Sequence, residues 1–283
     1  MKFEYSSTSN WENAIRGLRH PMESYAKSDS DFGIAENDDW LNEVISEVAY
    51  SYTQDKENYE EEQQNTIDWL YNNGVLYWGK NAADYAFIGS NDLKLAQKMI
   101  KAGTPNDKFL RQIFVSVDIT APEYFWSQLD TYKVGTVADS TSKMHKLATT
   151  PITKECFEMD DYNKGLLVYK QEPYNTDAYI DDIWDEIIGH CETLRKRYLK
   201  TKDERYWKEL IRLLPESWLQ TRTFTCNYAV LRNIVKWRKN HKLKNEWDSF
   251  IKWCQTLPYS SELIFYENGY ENGYKLHDLL SSK

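Results

Sequence analysis

The sequence TRTFTCNYAVLRNIVKWR at residues 221–238 has the clearest periodic pattern in the chain. It follows the step Leu213-Leu214-Pro215. At about 100° per residue, its apolar side chains fall within one arc of about 140°. They are Phe224, Val230, Leu231, Ile234 and Val235. This spacing predicts a helix over about 221–241 that buries the arc. Asn227 and Arg238 differ in direction by only about 20° and point into the same arc.

A buried amide and a buried guanidinium cost several kcal/mol if they are left unpaired, so both need partners. Two alternatives remain open: a protein group such as a buried carboxylate, or a ligand with acceptors and a negative centre. Asn233 points about 120° away from Asn227, which predicts that only a second chain or an overlying segment could bring it to a ligand. The same period places Arg232, Lys236 and Lys239 on the solvated face.

Outward from this stretch, most segments have helical spacing. Two helices are expected over 38–73, one from Ser90 to Gly103, one after Pro122, and others over 180–199, 205–214 and 245–257. A strand is expected over 114–119 and an extended segment over 131–138. The predicted class is α+β, mostly helical with a small antiparallel sheet. We expect one domain over 1–283, with a helical acidic insertion at about 34–85.

Composition narrows the function. The 283 residues carry a formal net charge of −9, which argues against a general nucleic-acid binder. The content of 41% apolar and 15% aromatic residues excludes a disordered chain. No stretch is long and apolar enough to cross a membrane, and the N-terminal residues MKFEYSSTSN lack a signal region, so a cytoplasmic location is expected. The four cysteines form no CxxC or CxxH pair, so no metal site is predicted.

The 221–238 stretch resembles the flavin-dependent thymidylate synthases, in which a leucine-proline step precedes a helix of the form T-x-N-A-R-S-L-x-N-F-L-x-L-R. The matching positions are Thr225, Asn227, Leu231, Asn233 and Arg238. Residues 103–129 are similar to the family's strand, Ala-Pro step and following helix. The family signature R-H-R-x7-S corresponds to Thr131-Tyr132-Lys133 and Thr141, which keep one of three basic residues. The chain therefore resembles a divergent, phage-type or prophage-type member.

The resemblance implies the family's fold and reaction, a reductive methylation of dUMP or a related pyrimidine nucleotide. FAD would be the cofactor, NADPH and methylene-tetrahydrofolate the co-substrates, and a homotetramer the assembly. Arg238 would be catalytic and meet the uracil edge. Substrate would also be bound by Lys143, Asp139, Ser140, Thr141 and Ser142, and the cofactor by Asn227, Asn233, Lys133, Tyr132 and Thr131. His145, two residues after Lys143, is a further candidate for testing.

The loss of two signature cations leaves three functions open: an active flavin enzyme, a nucleotide-binding protein that lost the flavin chemistry, or an interaction protein that uses the acidic insertion. Arg16, Arg19 and Lys27 near the N-terminus could replace the missing cations. Alternatively, they belong to a helix end and a polar loop. A flavin absorbance band in the purified protein would distinguish the first function from the other two.

Overall fold

The computed structural model describes residues 1–54, 56, 59–78, 82–143, 147–171 and 176–268. The chain forms two compact units. Unit 1 comprises Met1–Phe3, Asp118–Thr131 and Ala138–Thr223, and unit 2 comprises Glu4–Val117, Tyr132–Val137 and Phe224–Lys283. No helix of the described residues is long and apolar enough to cross a membrane.

Helices account for most of the regular structure. They are α1 (Trp11–Arg19), α2 (Asp38–Thr53), α3 (Tyr59–Gly74), α4 (Ser90–Ala102), α5 (Glu123–Leu129), α6 (Ile180–Thr201), α7 (Glu204–Leu213), α8 (Tyr228–Arg238), α9 (Lys244–Gln255) and α10 (Ser260–Leu263). Short 3-10 turns lie at His20–Met22, Tyr25–Lys27, Asn106–Gln112 and Lys154–Cys156. The two helices expected over 38–73 are therefore confirmed as α2 and α3.

The strands are β1 (Lys2–Ser9), β2 (Asp31–Ile34), β3 (Val75–Trp78), β4 (Ala82–Phe87), β5 (Phe114–Pro122), β6 (Val137–Ser140), β7 (Leu167–Gln171), β8 (Thr176–Tyr179) and β9 (Leu219–Asn227). They form a four-stranded sheet of order β1-β5-β9-β6, a three-stranded sheet β2-β4-β3 and the pair β7-β8. The β2-β4, β3-β4 and β7-β8 pairs are antiparallel. The predicted class, mostly helical with a small antiparallel sheet, is confirmed.

Each unit has its own apolar core. In unit 2 the ring of Trp11 packs against those of Tyr228 and Tyr259, with centroids 5.2 and 5.8 Å apart. In unit 1 the buried cluster contains Phe157 and Leu210, and Phe157 contacts Trp184 and Trp218. Burial of these large side chains is the main stabilising contribution in both units.

The predicted helix over 221–241 is wrong in its first third. Residues Leu219–Asn227 form β9, in which Phe224 and Cys226 are buried and Thr223 is exposed. Alternating burial and β-branched threonines are typical of a strand. Asn227 is the N-cap of α8, where its Oδ1 accepts a hydrogen bond from the Val230 amide at 3.1 Å. Asn227 and Arg238 therefore do not share a helical arc.

The expectation that Arg232 lies on a solvated face is also wrong. Its Nη1 donates hydrogen bonds to the carbonyl oxygens of Ile264 and Tyr266, and burial lowers its pKa. Asn268 returns a bond from Nδ2 to the Arg232 carbonyl at 3.0 Å. Arg232 thus anchors the segment that follows α10.

Candidate functional site

A cavity of about 580 Å³ lies within unit 2, and α8 forms one of its walls. Asn227, Ala229, Val230 and Asn233 contribute from the start and middle of that helix. Val134 and Gly135, from the segment after the degenerate signature, also line the cavity. The two regions that the sequence resemblance singled out thus meet at one place in unit 2.

The close approach of these two regions depends on Gly135, whose φ is +77°. A Cβ atom built there would lie 3.1 Å from Asn227 Nδ2 and 3.3 Å from Val230 Cγ2. Only glycine adopts this conformation readily and leaves room for the amide. We call this close approach of Gly135 to Asn227 and Val230 the Gly135 cradle; it depends on the absence of a side chain at position 135.

Asn227 itself is 7% exposed. Its Oδ1 is used as the α8 cap, whereas its Nδ2 makes no hydrogen bond with the part of the chain that the structure describes. Because this amide nitrogen is not fully buried, it reaches the cavity and can donate to a ligand acceptor.

Charged side chains at the cavity have both signs. Arg111 and Lys236 are exposed cations on its lining, and Asp107 is an acid there. Asn233 is exposed, and its Oδ1 accepts a hydrogen bond from Trp237 Nε1 at 3.0 Å. Asn233 lines the same cavity as Asn227 and Gly135, which favours the overlying segment, of the two alternatives expected from the helical period, as the way for Asn233 to reach a ligand.

Arg238, the last residue of α8, lies between two aromatic rings of unit 2. Its Cζ is 5.2 Å from the Tyr132 ring centroid and 4.8 Å from the Trp247 ring centroid. Its Nε donates a hydrogen bond to the Tyr132 hydroxyl at 2.9 Å. The guanidinium is thus held by ring faces and a phenol.

His241 follows α8 and contacts the Trp247 ring, with centroids 5.9 Å apart. Burial and then the Arg238 charge lower the pKa of His241. The imidazole therefore favours its neutral form beside the Arg238 guanidinium.

The predicted substrate-binding residues other than Arg238 lie in unit 1. Asp139, Ser140 and Thr141 are exposed at and after the end of β6. Lys143 forms an ion pair with Glu123 of α5, and both side chains are partly buried. Lys143 is therefore a charge-compensated lysine.

Thr141 is fixed to β9 by its backbone. Its amide donates to the Thr221 carbonyl at 2.9 Å, and its carbonyl accepts from Gln220 Nε2 at 2.8 Å. Arg222 supports Gln220 through a 2.9 Å bond to Oε1 and stacks on the Trp126 ring at 4.5 Å. Sequence reasoning assigned no role to Gln220 or Arg222. Gln220 and Arg222 are two positions apart and therefore share one face of β9, a signal that is visible only when the segment is read as a strand.

Of the other predicted cofactor residues, Thr131 in unit 1 and Lys133 in unit 2 are exposed, and Tyr132 in unit 2 contacts Arg238. His145 lies outside the described residues. The cysteines are all unpaired thiols. Burial raises the pKa of the Cys226 thiol, which agrees with an ordinary buried cysteine and not with a nucleophile.

The N-terminal cations follow the structural alternative. Arg19 is buried and pairs with the buried Asp92, with Nε 2.6 Å from Oδ1. Ser28 and Ser30 donate to the other oxygen of Asp92. Arg16 donates to Asn13, and Lys27 is exposed. Arg19 is thus part of the unit 2 framework.

Two solved structures align with nearly the whole chain. A flavin-dependent thymidylate synthase ThyX from Helicobacter pylori, complexed with FAD and dUMP, has a TM-score of 0.53 at 12% identity, covering 96% of this chain and all of that chain. Thymidylate Synthase X (ThyX) from the same organism, with FAD and dUMP, has a TM-score of 0.51 at 13% identity over the same shares of both chains. This chain has a ThyX-like fold.

The likeness to ThyX is found by comparing structures and not by comparing sequences. No protein-family model matches the chain, and no curated protein matches it significantly. At 12% identity, the likeness to ThyX shows the arrangement of helices and strands alone. The chemistry of the ThyX-like fold here must therefore be argued from its own side chains.

Proposed function

We propose that the protein is a flavin-dependent enzyme that modifies C5 of a pyrimidine nucleoside monophosphate such as dUMP, by reductive methylation or a related step. The observation that carries this proposal is the unit 2 cavity, where the unpaired Nδ2 of Asn227 meets the Gly135 cradle. The ThyX-like fold supports it, because the aligned ThyX structures are complexed with FAD and dUMP.

FAD fits the cavity on three grounds. The cavity volume of about 580 Å³ is within the usual range for ligand sites. The Nδ2 of Asn227 offers a donor to a flavin or pyrophosphate acceptor, and the Asn233 amide lies on the same wall. Arg111 and Lys236 supply positive charge for an anionic cofactor. Thr131, Tyr132 and Lys133 complete the proposed cofactor set.

When bound, FAD supplies hydride-transfer chemistry, with NADPH as reductant and methylene-tetrahydrofolate as the one-carbon donor. Arg238 of unit 2 would meet the uracil edge, as a fixed cation where negative charge develops. In unit 1, Lys143 would bind a phosphate together with Ser140, Thr141 and Ser142, and Asp139 is a further proposed substrate contact. Lys143 would do so as a point charge and not as a bidentate fork.

A second candidate is a nucleotide-binding protein without flavin chemistry. The single cation left in the signature favours it, because it reduces the charge available to an anionic cofactor. The two candidates differ in one measurable property, the binding of FAD.

The test is an FAD titration of the purified protein and of Asn227→Asp, which keeps the α8 cap acceptor but removes the amide donor. We expect wild type to show a flavin absorbance band and the variant to bind FAD at least tenfold more weakly. Asn37→Asp is the matched control, because Asn37 caps α2 in the same way, with Oδ1 2.8 Å from the Trp40 amide. Equal losses in both variants, or no FAD binding by wild type, would contradict the proposal.

A further inference from the structure

The aromatic pair around Arg238 has a role that goes beyond packing. Trp247 is fully buried in α9 and is fixed by an edge contact with Phe250, with centroids 5.7 Å apart. One face of the Arg238 guanidinium therefore meets a ring that cannot move without disturbing the core. Tyr132, on the other contact, is half-buried and lies in the segment that matches the degenerate signature.

The contacts restrict Arg238 in two independent ways. The ring faces at 5.2 and 4.8 Å limit its translation, and the 2.9 Å bond from Nε to the Tyr132 hydroxyl limits its rotation. An arginine side chain otherwise loses rotamer freedom when a ligand fixes it. Fixing it in advance removes that cost from ligand binding.

We propose that Tyr132 and Trp247 are positioning residues that hold the Arg238 guanidinium in the orientation in which it recognises the pyrimidine base. This inference rests on the proposed function of Arg238. It also gives the replacement within the signature a reason, since a phenol at position 132 is the hydrogen-bond acceptor for the arginine eleven positions after Asn227. The signature segment has lost two cations, but its Tyr132 orients another cation of unit 2, the Arg238 guanidinium.

The inference separates two contributions of Tyr132. Its ring stacks on the guanidinium, and its hydroxyl accepts from Nε. Tyr132→Phe removes only the hydroxyl and keeps the ring, so a purely structural role predicts little change in ligand affinity. A positioning role predicts weaker binding of the nucleotide in a protein that is as stable as wild type.

The experiment is a double-mutant cycle on the full chain, with dUMP affinity measured by calorimetry for wild type, Tyr132→Phe, Arg238→Ala and the double variant. We expect Tyr132→Phe to weaken dUMP binding about tenfold, with an unchanged melting temperature. In the Arg238→Ala background the same change should have no further effect, because the hydroxyl acts through the arginine. Tyr162→Phe in unit 1, which removes a hydroxyl bonded to Asp181 at 2.6 Å, is the control and should match wild type.

Trp247→Phe tests the second ring and should weaken dUMP binding in the same direction. Tyr132→Phe alone decides the inference if the tryptophan variant does not fold. An unchanged dUMP affinity in Tyr132→Phe, or an equal loss with and without Arg238, overturns the positioning role and leaves the proposed function intact. Failure of wild type to bind dUMP overturns the proposed function and this inference with it.

Discussion

Arg238 is the residue on which the proposed chemistry depends most directly. Its contacts include two ring faces and a phenol, and a cation–π contact outside the deep core is worth about 0.5 to 1 kcal/mol. We therefore expect Arg238→Ala to lower the free energy of unfolding by about 1 to 3 kcal/mol and to weaken dUMP binding about a hundredfold. Arg238→Lys should restore little binding, because the planar fork is lost.

Chemical denaturation and a dUMP titration on the same Arg238 variants check this. A loss of stability at the upper limit with dUMP affinity intact would show that Arg238 serves the fold only. An Arg232→Ala variant is an informative comparison from the same helix. Because Arg232 anchors the segment after α10 through hydrogen bonds to carbonyl oxygens, Arg232→Ala should lower the free energy of unfolding more than it lowers dUMP affinity.

Glu262 of α10 is a second residue with a measurable consequence. It is 4% exposed, its Oε1 has no hydrogen-bond partner among the described residues, and burial raises its pKa to about 7. Burial raises the pKa values of three neighbouring hydroxyls, and the Glu262 charge raises them further. These hydroxyls belong to Tyr52, Tyr228 and Tyr259. Between pH 4.5 and about 7 the folded state holds a proton that the unfolded state has released.

The stability contributed by protonated Glu262 is therefore complete below the unfolded pKa and is lost as pH rises through the folded pKa. The difference between the two pKa values corresponds to about 3 kcal/mol. We expect the wild-type free energy of unfolding to fall over this pH window and Glu262→Gln to show a shallower slope. Denaturant titrations at several pH values measure both slopes. Identical slopes in the two proteins would exclude this assignment of the pH dependence.

At the scale of the element, the turn that carries Gly135 holds the cavity open against α8. Gly135→Ala would place a Cβ 3.1 Å from Asn227 Nδ2 at a φ of +77°. We expect a loss of about 1 to 2 kcal/mol in unfolding free energy and weaker FAD binding, since strain and a displaced amide act together. Thermal unfolding and an FAD titration measure the two effects.

Gly189→Ala in α6 is the matched control, because a Cβ there meets nothing within 4 Å. A glycine within a helix is less stable than alanine by about 1 kcal/mol, so this variant should be more stable than wild type. It should bind FAD as wild type does. Opposite signs of the two stability changes are the expected result, and a stabilised Gly135→Ala would contradict the close approach.

The elements also explain what the sequence could and could not predict. Helical spacing located α2, α3 and α4 because their apolar residues recur at a period that tertiary contacts do not change, and Gly103 ends α4 with a φ of +71° as expected. The same period failed over β9, where Thr221, Thr223 and Thr225 alternate with Phe224 and Cys226. Threonine alternation and a capping asparagine at 227 are the signals that separate a strand from the helix after it.

The site residues divide along similar lines. Asn227, Asn233 and Arg238 could be selected from the sequence because they share a motif. Gly135 contacts Asn227 from a distant segment of the chain, and Trp247 contacts Arg238 from the next helix; both contacts are set by the packing of unit 2. No local pattern encodes them, so only the structure identifies Gly135 and Trp247 as parts of the site.

At the scale of the whole molecule, two apolar side chains are exposed near the cavity beside its charged groups. Val134, which lines the cavity, is 89% exposed, and Trp237, bonded to Asn233, is 67% exposed. Large exposed apolar groups beside a functional site are typical of protein interfaces. We therefore propose a homo-oligomer, a tetramer as in the family that the sequence resembles, with the Trp237 face of α8 at an interface.

Sedimentation velocity at micromolar concentration should show wild type as a species heavier than the 33.6 kDa chain. Trp237→Glu places a charge where an apolar contact is expected, so it should shift the protein to a lighter species. Tyr71→Glu in α3 makes the same kind of change at a residue that is 44% exposed, and it should leave the wild-type mass unchanged. A monomeric wild type would remove the interface. Equal dissociation by both variants would place the interface elsewhere on unit 2, because the Trp237 face would then have no special part in assembly.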